Sequence, residues 1–401
     1  MKKVMERIAG KGVVFNRGYA AVPLCGPARA SMLTSMNGHR HGCASNDTLV
    51  PFRDNGHDQD TVATRLNNAG YRTGLFGKYL NGYRHAQEYV GPGWDRWVAN
   101  IGAATGHRFN VDGRLRDAKS YGGVPDQFAA IQCERFIENS VNTPWFAVYA
   151  PTAPHKPYTP SAKHADDFDG VAWDPPALNE DDMSDKPSFM RDIPRKDRAT
   201  VRRAWEGTLE ELQDVDDRIN SILSTLNRTG QLLDTHIFVV SDNGFMLGEH
   251  RLHMMKQQPY EESSGIPFVV RGPGIGSGVS TELVSQVDMM PTTLAMAGLD
   301  PTAGRELDGR NMLPGLRSND WSGWRQRMLV EHPLHAWAML IEGPARFIDH
   351  YRHGEQQFYD LATDPRQMRS DPARPEAAGY QAKLTLMRDA QGQALKALET
   401  N

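Results

Sequence analysis

The apolar residues of this chain fall into two rhythms that alternate over most of its length. Steps of three and four residues mark helices. Val4, Met5 and Ile8 do so within residues 2–10, Val62 and Leu66 within Asp60 to Asn68, and Phe128, Ile131, Phe136 and Ile137 within Asp126 to Glu138. The clearest helix is 202–227, where Trp205, Leu209, Leu212, Ile219, Ile222, Leu223 and Leu226 share one side. Asp214, Asp216 and Asp217 on that helix read as solvated charges. A further helix covers Val287 to Ala297. Short apolar runs at 13–15, 72–76, 145–149, 236–240 and 266–270 read as strands between the helices.

The alternation predicts an α/β fold, with a mostly parallel central sheet and helices on both faces. Ligands of such sheets sit beyond the carboxyl ends of the strands. Lys78, His155 and Asp242 each follow a predicted strand within a few residues, the placement expected if all three face one crevice. Residues 156–200, rich in Pro, Asp and Lys, read as a long surface excursion that contributes to the substrate rim. Past residue 305 the character changes. Short strands at 327–330, 338–341 and 346–348 precede one terminal helix over 375–399. The expected organisation is an α/β domain over 1–304 and a smaller α+β subdomain over 305–401.

Composition narrows the function. The 401 residues carry a net charge of -4, which argues against a general nucleic-acid binder. Three cysteines, Cys25, Cys43 and Cys133, cannot build a disulfide framework and point to free thiols. No apolar run approaches a membrane span. The N-terminal residues Met1 to Arg7 lack an apolar signal core, so the chain as written is expected to stay in the cytosol.

The densest chemistry lies at Pro23-Leu24-Cys25-Gly26-Pro27-Ala28-Arg29. Pro27 suits the first turn of a helix, and a helix N-terminus offers N–H groups to a tetrahedral oxyanion. Arg29 adds a permanent forked donor beside the thiol. Asp242-Asn243, after a strand, offers adjacent oxygen donors of the kind that hold Ca²⁺ or Mg²⁺. His155, flanked by prolines, has a side chain suited to proton transfer near neutrality.

These stretches resemble the sulfatase family. Cys25-x-Pro27-x-Arg29, continued by Leu33-Thr34, is similar to its signature, in which the Cys is oxidised to formylglycine and the hydrated aldehyde is the nucleophile. Asp242 to Ile266, with Lys256 inside it, resembles the second long signature; Gly77-Lys78 and Pro154-His155-Lys156-Pro157 resemble two further elements. The resemblance implies catalytic roles for Cys25, Arg29, Lys78, His155 and Lys256, and a divalent metal, Ca²⁺ ahead of Mg²⁺, held by Asp242, Asn243 and the side chain at position 25. His155, or else Lys256, then protonates the leaving alcohol. The implied partners are a sulfated small molecule or glycan and a formylglycine-generating enzyme, with no nucleic acid and no membrane.

Lys78-Tyr79-Leu80-Asn81 and the later Pro92-Gly93-Trp94-Asp95-Arg96-Trp97 look like the glucosamine-6-sulfatase branch, where Trp94 and Trp97 could stack on a sugar ring, although packing is the commoner fate of Trp. Phe358-Tyr359-Asp360-Leu361 resembles a structural element near the end of many members. The family also opens with a strand ending in two metal-binding Asp, whereas no Asp precedes Asp47 here. A trimmed start or poor metal binding is therefore expected, and periplasmic or secreted placement follows if the start is trimmed. The alternatives are a phosphonate monoester or phosphodiester hydrolase of the same superfamily, and an inactive homologue that only binds ligand.

Overall fold

A computed structural model describes residues 1–102, 108–118, 125–332, 334 and 336–400. The strands of the larger part are β1 (Val13–Tyr19), β2 (Arg72–Lys78), β3 (Arg96–Asn100), β4 (Arg108–Val111), β5 (Arg114–Asp117), β6 (Trp145–Ala150), β7 (Ile237–Val240), β8 (Met246–Leu247), β9 (His253–Met255), β10 (Phe268–Arg271) and β11 (Gly278–Ser285). One sheet runs β11-β1-β10-β7, with β1 parallel to β11 and the two pairings of β10 antiparallel. The other runs β5-β4-β3-β2-β6, with β2 parallel to both neighbours and β4 and β5 folding back antiparallel. Strands β8 and β9 form a separate ribbon.

Both faces of the β2 region are covered, and Thr73 to Gly77 are buried without a break. Consecutive strand residues point to opposite faces. Phe76 packs under the helices Pro125–Glu138 and Arg198–Arg228, with Phe128, Phe136, Leu223 and Leu226. Leu75 packs on the other side with Ala30, Ala63 and Trp97. The Arg198–Arg228 helix starts at Asp197, whose carboxylate accepts the Thr200 N–H at 2.8 Å.

Its acidic residues are not solvated charges. Asp214 accepts the Ser161 N–H, and Asp216 accepts those of Lys3 and Val4 in the first turn of the helix Lys2–Arg7. Asp217 pairs with Lys3, Lys163 and His164. The chain start and the excursion after β6 both pack across this face, and their amides need acceptors.

The C-terminal part is a meander, β12 (Arg327–Glu331), β13 (Ala338–Glu342), β14 (Ala345–His350) and β15 (Glu355–Asp360), antiparallel throughout. The single terminal helix expected over 375–399 is two helices, Ala377–Asp389 and Gly392–Thr400. Gly392 breaks it. Its φ is +53°, a Cβ there would stand 2.0 Å from the Glu306 carboxyl carbon, and its N–H is taken by Asp308 at 2.8 Å. Arg325, fully buried, joins this part to the rest by pairing with Asp288 and with Glu399. Among the described residues no helix is long and apolar enough to cross a membrane.

Candidate active site

Four separated segments deliver side chains to one place beyond the strand ends. Lys78 is the last residue of β2. Gly77 before it has φ +112°, and a Cβ would lie 2.0 Å from the Ala150 carbonyl oxygen of β6, so the strands close tightly just below Lys78. Asp242 and Asn243 follow β7, Lys256 follows β9, and Cys25 opens the helix Cys25–Thr34.

Lys256 Nζ lies 2.9 Å from Cys25 Sγ, a side chain buried to 2% exposure. Arg29 Nε donates to Asp242 Oδ2 at 2.9 Å, and its Nη1 donates to the Lys78 carbonyl at 2.8 Å. Lys78 Nζ stands 3.4 Å from the same Asp242 oxygen. Burial pushes the Asp242 carboxyl up, but the Lys78, Arg29 and Lys256 charges outweigh it and hold the group far below the usual carboxylate range. A carboxylate ringed by three cations leaves a surplus of positive charge to receive an anion.

His155 stands on the rim. Its Nδ1 lies 2.8 Å from the Lys156 carbonyl, which can only accept, so this nitrogen carries a proton and Nε2 is left for exchange. Burial, followed by the Lys256 and Lys78 charges, lowers its pKa against the Lys156 hydrogen bond and the pull of Asp242. The structure thus gathers Cys25, Arg29, Lys78, Asp242 and Lys256 closely, with His155 in their electrostatic reach.

The helix N-terminus contributes less than expected. The Gly26 N–H is taken by Asn46 Oδ1 at 3.1 Å, Pro27 has none, and the Ala28 N–H bonds to Leu24. Side-chain cations supply the anion attraction instead. The helix itself ends at Ser35 with φ +56°. His39 and His41 sit on a separate short helix, Gly38–His41, where His41 bonds to Ser31 and His39 to Glu331. Trp97 and Trp94 are core residues, packed with Tyr79 and Phe146, and do not face a sugar.

Several supporting residues carry no sequence signal. Gln286, fully buried, donates to the carbonyls of both Ser241 and Asp242 at 2.8 Å. The Gln257 N–H donates to Pro23, and its carbonyl accepts from the Trp337 indole at 3.0 Å. The segments bearing Lys256 and Cys25 are therefore tied together through backbone.

Asn243 Oδ1 is buried without a hydrogen-bond partner, while its amide nitrogen donates to Gly244. With the adjacent Asp242 carboxylate it fits as a donor to a hard cation, because an orphaned buried oxygen is costly otherwise. Among the described residues no group of three or more His, Cys, Asp and Glu could hold such an ion.

Residues 1–299 match the Sulfatase family, and residues 248–391 match the C-terminal region of N-sulphoglucosamine sulphohydrolase. The chain belongs to the sulfatase family, within the alkaline-phosphatase-like superfamily. Family membership implies a divalent metal and a formylglycine in general. Among relatives, it is 32% identical to an extracellular sulfatase SULF-1 homolog of Drosophila melanogaster, over 82% of this chain and 31% of that protein. It is 30% identical to the N-acetylglucosamine-6-sulfatase of Homo sapiens, over 83% of this chain and 63% of that one. The chain thus spans less than two thirds of the length of these relatives. A protein solved in complex with its substrate D-glucosamine-2-N,6-O-disulfate shares the fold, with a TM-score of 0.81 at 24% identity over 98% of this chain and 91% of its own.

Proposed function

We propose that this protein hydrolyses sulfate esters, with a sulfated amino sugar as substrate, at the side chain of position 25. The observation that carries this is the contact between Lys256 Nζ and Cys25 Sγ, beside an Asp242 carboxylate held by Arg29 and Lys78. The relatives named for N-acetylglucosamine 6-sulfate support the substrate class.

Formylglycine at position 25, once hydrated, supplies the attacking oxygen, and a divalent cation, Ca²⁺ by preference for oxygen donors, would be held by Asp242 and Asn243 and supply positive charge. The chain's own groups do the rest. Lys256 is placed to donate a hydrogen bond to the oxygen on position 25. Lys78 and Arg29, gathered on Asp242, put fixed positive charge beside the place where sulfate oxygens gain charge. Gln286 keeps Asp242 in register by holding its backbone. His155, protonated at Nε2, gives that proton to the departing sugar oxygen.

The test is hydrolysis of an aryl sulfate by protein expressed alongside a formylglycine-generating enzyme, with a phosphonate monoester and a phosphodiester assayed in parallel. Sulfate turnover that vanishes in Cys25→Ala is expected. Unchanged turnover in that variant, or a clear preference for the phosphorus esters, would refute the assignment.

A further inference from the structure

The loop that carries His155 is poor in backbone donors, because Pro151, Pro154, Pro157 and Pro160 have no N–H. The donors nearest the imidazole on its N-terminal side go to a single acid. Asp126, in the first turn of the helix Pro125–Glu138, accepts the Thr152 N–H on Oδ1 at 2.7 Å and the Ala153 N–H on Oδ2 at 2.9 Å. The Asp126 carbonyl also accepts the Tyr149 hydroxyl at 3.2 Å, which ties the same turn to β6. Within the loop, the His155 N–H returns to the Thr152 carbonyl at 3.0 Å. Position thus passes from Asp126 to Thr152 and from Thr152 to His155 through backbone alone. Further along, Glu211 accepts the Thr159 N–H at 2.7 Å.

We propose that Asp126 is a positioning residue for His155, and that its two-oxygen grip on Thr152 and Ala153 sets where Nε2 meets the departing ester oxygen. This rests on His155 being the leaving-group acid. Both oxygens of the carboxylate are needed, because the two amides are adjacent and each takes one. Asp126 touches neither substrate nor the side chain at position 25. Its effect is confined to proton delivery and grows with the leaving alcohol's need for a proton.

Asp126→Asn is the discriminating variant. It keeps the size of the side chain but offers an NH₂ to one backbone N–H, which must move away. Steady-state kinetics on a sugar 6-sulfate, whose alkoxide leaves poorly, and on p-nitrophenyl sulfate, whose phenolate leaves readily, separate the outcomes. The ratio of kcat on the sugar ester to kcat on the aryl ester is expected to fall about tenfold, the scale of a sub-ångström misplacement of a catalytic group. In a His155→Ala background the same substitution is expected to leave the ratio where His155→Ala put it. Asp126→Glu, which keeps the charge and is one methylene longer, should shift the ratio in the same direction by less, and it serves if the Asn variant folds poorly. Equal losses on both esters, or a further fall in the His155→Ala background, would overturn the proposal. If His155→Ala itself leaves the ratio unchanged, the proton-donor role of His155 falls, and the positioning role with it. If His155→Ala lowers the ratio and Asp126→Asn does not, only the positioning role falls.

Discussion

On the floor of the site, Arg29, Lys78 and Asp242 hold one another through side-chain charge. On the rim, His155 rides a loop held at its backbone by acids from two helices, Asp126 on one and Glu211 and Asp214 on the other. The two constructions fail differently. Removing a charge from the floor leaves its partners unpaired in a half-buried place, so fold and chemistry suffer together. Loosening the rim displaces one imidazole, the proton donor proposed above, and leaves the floor intact.

Three substitutions sharpen this contrast. Lys256→Met removes the donor at position 25 and should lower kcat by about 10²–10³-fold, as loss of one preorganised donor does at other charged intermediates. A change in KM alone would mean that Lys256 only binds substrate. Asp242→Asn leaves Arg29 and Lys78 without their carboxylate and should cost about 3 kcal/mol in urea unfolding, besides its effect on turnover. An unchanged midpoint would show that the floor is not held by charge.

The smallest effect belongs to the rim. Burial pushes the Glu211 carboxyl up to about 7 from an ordinary 4.5. Between those values the folded protein keeps a proton that the unfolded chain releases, so stability falls as pH rises through that window. Glu211→Gln keeps an acceptor for the Thr159 N–H and carries no charge. Its melting temperature should therefore exceed that of the parent by an amount that grows from about pH 5 to about pH 8, reaching roughly 2 °C. A gap independent of pH would contradict it.

The floor residues were legible because chemistry needs their types next to strand ends: Lys78 ends β2 and Asp242 follows β7. The helices were legible from periodicity, down to Pro125–Glu138 and Arg198–Arg228. What stayed hidden depends on tertiary neighbours. The first half of β11 is exposed and polar, so nothing in its pattern marks a strand until β1 pairs with it. Gln286 and Asn46 act through backbone groups of distant segments, and Asp126 reads as an ordinary acid in a helix's first turn. The acids at 214, 216 and 217 read as solvated because the chain start and the post-β6 loop that cover them are remote in sequence.

The most direct measurement is the mass of the peptide spanning position 25, taken from a preparation that hydrolyses an aryl sulfate after expression with a formylglycine-generating enzyme. An aldehyde in place of the thiol is predicted, in a fraction that tracks specific activity from batch to batch. A fully active preparation in which Cys25 is still a thiol throughout would contradict the account.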